Sequence, residues 1–241
     1  MHSKDSQRGL DRKQFLRLSA AGLAGVALVG GTAGRAVAQP DSSLMREFKD
    51  AAKEFGVPVG LLIAMGYVNT RWEMPPPDAS EYEEGSTSGW GGYGIMALVK
   101  NPSTDTLGEA SKLTGIPEEE LKTDRRSNIR GGAALLAESQ KAQGRPKLKG
   151  PEQDRAQDQA GLNTEELDGW TKAVSGKGAF KKLGARVDEP APAGVGGGEI
   201  YAEQVAGTLK SGASGRTKAG ERVDLKSQGA AGKVLDRLGE N

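Results

Sequence analysis

The sequence predicts a mainly α-helical protein, and three observations carry that prediction. Apolar residues recur at spacings of three and four in several segments between Leu44 and Leu209. Helix-starting residues and closing glycines bracket those segments. No alternating strand pattern of any length appears before residue 215.

The elements follow in order. SSLMREFKDAAKEFG places Leu44, Met45, Phe48, Ala51, Ala52 and Phe55 on one stripe. Ser42 or Ser43 can cap its start and Gly56 can close it. Val57-Pro58 launches a second helix to about Arg71, with proline in the first turn, where its missing N–H costs nothing. This helix is apolar nearly all round from Val59 to Met65, which predicts a place at the centre of a domain. Residues 74–94, MPPPDASEYEEGSTSGWGGYG, read as a long irregular loop, and loops of that length are usually functional or disordered.

TLGEASKLTG reads as a short helix closing at Gly115, and PEEELK as another, with acids at its N-terminus. SNIRGGAALLAESQKAQG predicts a longer helix from about Asn128 to Gln143. Its Gly131-Gly132 pair costs about 1 kcal/mol per residue relative to Ala, and close backbone packing would compensate. Residues 146–163 lack a hydrophobic period and read as a polar linker or loop. NTEELDGWTKAV and GGEIYAEQVAGTLKSG supply additional helices within 164–210. The tail, 211–241, holds a hairpin pattern around RTKAGERVDL and a short amphipathic segment, GKVLDRLG.

Residues 1–38 have the make-up of an export signal. A charged stretch, DRKQFLRL, precedes an apolar run from Leu18 to about Val29 and the A-x-A site Ala36-Val37-Ala38. The run is too short and glycine-rich to span a bilayer. Arg12-Lys13 followed by Gln14-Phe15-Leu16-Arg17 resembles a twin-arginine signal with Lys for the second Arg, which leaves the Sec route open. A secreted, extracellular, cell-wall protein without a membrane span after signal removal is expected.

Removing that leader takes away six basic and two acidic residues and leaves 27 basic and 30 acidic, a net charge of −3. The electrostatic footprint of nucleic-acid binding is therefore missing. The leader also carries the single histidine, His2, and the chain has no cysteine. A zinc centre, Ser-His-Asp or Cys-His catalysis and disulfides are excluded from the mature chain. No metal and no cofactor is expected, and any catalysis would fall to carboxylates, Lys, Tyr, Ser or Thr.

Three segments now stand in order on one chain: PVGLLIAMGYVNTRW, GGYGIMAL and NIRGGAALLAE. Together they resemble the lysozyme-like domain of soluble lytic transglycosylases. They are more similar still to the lysozyme-like region preceding the amidase domain in secreted actinobacterial N-acetylmuramoyl-L-alanine amidases. The similarity covers roughly residues 44–145 and continues weakly through GWTKAVSG, EIYAEQVAGTLKSGA and RTKAGERVDL.

The resemblance implies a lysozyme-like helical domain over 44–145 with a long glycine-rich cleft loop. It implies that peptidoglycan glycan strands are the partner, with a cell-wall hydrolase as a further candidate. In the family, the helix matching Leu61–Arg71 ends in Glu-Ser, and the Glu is the general acid/base. The family's glycine-rich stretch lines the cleft, here Gly94, Ile95 and Met96. Trp90 and Tyr93, flanked by glycines, are candidate sugar-stacking rings.

Three departures stand out. Asn69-Thr70 replaces Glu-Ser, Ala97 follows Met96 where the family puts Gln or His, and AVSGKG lacks the aromatic that follows the family's Ala-Val. The first matters most, because a carboxamide has no proton to give. Glu73, four residues on, is the candidate substitute acid if the helix reaches it.

Three functions follow as expectations. One is a catalytically impaired glycan-binding protein of the cell wall. A second is an active muramidase or lytic transglycosylase with a displaced acid. The third is an accessory module of a cell-wall amidase system.

Overall fold

The computed structural model describes residues 41–84, 91–159, 161–175 and 197–238. The expected leader, 1–38, and Trp90 lie outside them. Helix α1, Ser43–Phe55, buries the expected stripe of Leu44, Met45, Phe48, Ala51 and Ala52. The Ser42 hydroxyl accepts from the Met45 N–H at 3.2 Å, and Gly56 closes the helix at φ 66°.

Helix α2, Val59–Thr70, has every residue from Val59 to Gly66 buried. Its all-round apolar face is what the centre of the protein requires. The helix ends because Arg71 and Trp72 both take left-handed backbones, at φ 57° and 64°. The indole of Trp72 donates to the Ile63 carbonyl at 2.8 Å, which holds this turn against the helix.

A 3-10 turn, Pro77–Ser80, follows. The glycine-rich segment then forms a small antiparallel sheet: β1, Gly92–Tyr93; β2, Leu98–Asn101; β3, Thr104–Asp105. Gly92 pairs with Val99, Tyr93 with Leu98, and Asn101 with Thr104. This corrects the expectation of no strand before residue 215. Strands of two to four residues are too short to show a period-two pattern.

Helices α3, Thr106–Thr114, α4, Glu118–Thr123, and α5, Arg125–Ala142, come next. Asp105 and Asp124 cap α3 and α5 through the N–H groups of Gly108 and Ser127. The 146–163 segment, expected as a polar linker or loop, is not a bare linker. It carries helix α6, Gly150–Gln157, and buries Leu148, Ala156 and Leu162. Three scattered apolar anchors suffice to pin it, and they are too few to mark a periodic pattern.

Helices α7, Thr164–Ser175, and α8, Gly197–Ser211, precede the hairpin of β4, Ala213–Arg216, and β5, Arg222–Leu225. Helix α9, Ala230–Leu238, ends the described chain. The hairpin and the terminal helix match the patterns in the tail. The protein is mainly α, as the sequence predicts.

The described residues belong to one compact unit, and a single hydrophobic core runs from Leu44 to Val234. The expected segments 44–145, 164–210 and 211–241 therefore share one interior. Helix α8 packs on α2, α7 and α9. The hairpin is tied to α1 by charge. The Arg125 guanidinium bridges Glu47, at 2.7 and 2.8 Å, and Glu221, which also accepts from the Ser43 hydroxyl and the Leu44 N–H. Among the described residues, no helix is long and apolar enough to cross a membrane.

Candidate functional site at the end of helix α2

The apolar helix α2 delivers one amide to its exit. Asn69 is half-buried, and its Nδ2 is buried. Its polar neighbour is Tyr201 of α8, a side chain only 1% exposed. Burial pushes the Tyr201 phenol above its ordinary range, and the Asn69 amide counters this only in part. The phenol therefore stays protonated at any ordinary pH, and Asn69 has no proton to transfer. Both can exchange hydrogen bonds.

Glu73 is placed elsewhere. With the helix stopped at Thr70, Glu73 does not share the face of Asn69. Its Oε1 accepts from the Lys218 N–H at 2.8 Å, in the turn between β4 and β5. The same hairpin lies on Trp72, since a Cβ on Gly215 would sit 3.2 Å from that ring. Glu73 thus anchors the hairpin.

The glycine-rich segment lies beside α2, where a Cβ on Gly66 would meet Ile95 at 3.6 Å. Its side chains do not line a cleft as expected: Tyr93 is 6% exposed, and Ile95 and Met96 are fully buried. The reason is the Asn128 side chain of α5. Its Oδ1 accepts from the Met96 N–H at 2.8 Å, and its Nδ2 donates to the carbonyls of Tyr93 and Leu121 at 3.1 and 2.8 Å.

Gly94, at φ 70°, is required here, because a Cβ would overlap the Asn128 amide. Gly132 gives Met96 its space, as a Cβ there would come within 2.7 Å of the Met96 side chain. The cost of Gly131-Gly132 in a helix is thus offset by close packing, as the sequence suggested. Ala97, buried at φ 52°, completes the turn by donating its N–H to the Gly94 carbonyl at 3.0 Å.

The exposed surface near Asn69 belongs to other residues. The Arg71 guanidinium lies 4.0 Å over the ring of Tyr67, and that ring lies 4.7 Å from Trp72. Sequence reasoning missed Tyr201. Its signal was the stripe Tyr201, Val205, Leu209 on one helix face, since a phenol on a buried face calls for a polar neighbour. Among the described residues, no group of three or more acidic or histidine side chains is placed to hold a metal ion. Comparison with family models, curated proteins and solved structures finds no match to this chain.

Proposed function

We propose that this chain is an exported peptidoglycan-interacting protein whose lysozyme-like helical scaffold binds glycan at the end of α2 without cleaving it. One observation carries the reading: the Asn69 amide, its Nδ2 buried beside the Tyr201 phenol, at the exit of an otherwise apolar helix. A polar pair at the end of an apolar helix still has hydrogen-bonding capacity that one mutual bond does not use up. A sugar hydroxyl is a fitting partner for an amide and a neutral phenol. Trp90 is the stacking candidate for a sugar face. The leader-like residues 1–38 support export to the cell wall.

The absent acid explains the absent cleavage. Loss of a general acid removes about 10²–10⁴-fold in rate. The displaced-acid reading has less support, because Glu73 is held by the Lys218 N–H. The accessory-module reading differs from ours in needing no glycan at α2.

A turbidity assay on cell walls tests the proposal with wild type, Asn69→Glu and Glu73→Gln. The wild type and Glu73→Gln are expected to leave the suspension unchanged. Asn69→Glu is expected to release a small amount of soluble muropeptide, since burial would keep the new carboxyl protonated near neutrality. A clearly active wild type silenced by Glu73→Gln would overturn the reading.

A further inference from the structure

A second polar site lies at the other end of α5. Gln140 is twelve residues beyond Asn128 on that helix, roughly 18 Å along its axis. It lines a cavity of about 480 Å³ between α5, α6, α7 and α9, within the size range of small-molecule sites. Trp170 and Leu148 form its apolar wall, 1% and 6% exposed. Gln140 is 4% exposed, and its Oε1 is buried with no donor. The floor thus holds an acceptor for an N–H that the protein itself does not supply.

The charges around this floor are of both signs. Arg145 is set in place by Gly169, where a Cβ would overlap the guanidinium. Among the described residues, no carboxylate pairs with Arg145. Glu166 is occupied by the cap of α7, accepting from the Asn163 N–H at 2.9 Å, and Asp168 pairs with Lys172 at 2.9 Å. Glu152 and Glu165 also line the cavity and have no cationic partner among the described residues. Arg237 also lines the cavity; the Arg145 guanidinium and the two carboxylates are the charges without an oppositely charged partner among the described residues.

We propose that this cavity binds a small zwitterion, either a free amino acid or a dipeptide whose two free ends present the ammonium and the carboxylate. Arg145 takes the carboxylate, in the paired geometry a guanidinium favours. Glu152 and Glu165 take the ammonium. Trp170 and Leu148 receive an aliphatic side chain, and the Gln140 amide serves the ligand's N–H. The site is independent of glycan binding at α2.

Calorimetric titration of the full chain tests this with alanine, alanyl-alanine, N-acetyl-alanyl-alanine and alanyl-alanine amide. Alanine or alanyl-alanine is expected to bind, and the two together separate a free amino acid from a dipeptide. Each blocked form is expected to bind at least tenfold more weakly than alanyl-alanine if the dipeptide is the ligand, and not at all if free alanine is.

Arg145→Gln, checked for folding by circular dichroism, is expected to lose affinity for the unblocked ligand at least tenfold. Glu165→Gln, an exposed change, is expected to weaken binding of the free ammonium several-fold. No binding of either unblocked ligand by the folded wild type overturns the proposal. So does equal binding of blocked and unblocked forms, or an unblocked ligand indifferent to both substitutions.

Discussion

Two asparagines at opposite sides of the glycine-rich segment have opposite fates. Asn128 is fully buried and uses both ends of its amide, with two hydrogen bonds that hold the segment from Tyr93 to Met96 and a third to the Leu121 carbonyl. Asn69 has a buried Nδ2 whose polar neighbour is the Tyr201 phenol, pushed up by burial. The first pattern is what stability selects. The second supplies no such staple, which the proposed glycan contact would account for.

The comparison is sharpest where the largest effect is expected. Asn128→Ala strips partners from the Met96 N–H and from the Tyr93 and Leu121 carbonyls. About 3–5 kcal/mol of destabilisation is expected in urea unfolding, from several hydrogen bonds and the groups left unpaired. A loss under 1 kcal/mol would mean that water or rearrangement replaces the staple.

Gly132→Ala presses a methyl against Met96 and is expected to cost about 1–2 kcal/mol, at the low side of overpacking because Met96 can bend. The hairpin provides a comparison through charge. Burial tends to raise the pKa of Glu221, but the bonds from Arg125, Ser43 and the Leu44 N–H outweigh it and leave the carboxyl below its ordinary value. A lowered folded-state pKa gives stability that is present above the unfolded value, about 4.3, and lost as pH falls through the folded one. Glu221→Gln should therefore cost about 1–2 kcal/mol at pH 7 and flatten the acid limb of the stability profile. Thermal melts from pH 7 to pH 3 would show it, and an unchanged acid limb would remove Glu221 from the account.

The smallest expected effect on stability is at Asn69. Replacing both polar partners, in Asn69→Leu with Tyr201→Phe, should change stability by less than about 1 kcal/mol, because paired apolar replacement is near neutral. Glycan binding should be lost. A loss of several kcal/mol would show that Asn69 and Tyr201 are structural after all.

Much of this architecture was legible in the sequence. Helices α1 and α2 declared themselves by a stripe and by an all-round apolar run, and Gly131-Gly132 announced a close approach. The tail's hairpin and last helix were visible in turn residues and a short amphipathic period. What stayed hidden was non-local or too short. The strands at Gly92–Asp105 are below the length at which a period shows, and α6 has only three apolar anchors. Left-handed Arg71 and Trp72 are non-glycine residues, so nothing in their type signalled the sharp helix end that takes Glu73 away from Asn69. Tyr93, Ile95 and Met96 looked like cleft residues because glycines surround them. Those glycines instead admit the Asn128 amide and the Met96 side chain. Tyr201 lies 132 residues from Asn69, beyond the reach of any spacing argument.

The central claim is binding without cleavage, and one experiment reads both on the same sample. The mature chain is mixed with insoluble peptidoglycan, the pellet is assayed for bound protein and the supernatant for released muropeptides. The account predicts wild-type protein in the pellet, clean supernatant, and protein left in solution for the Asn69→Leu, Tyr201→Phe variant. Muropeptides in the wild-type supernatant, or a variant that pellets as well as the wild type, would contradict it.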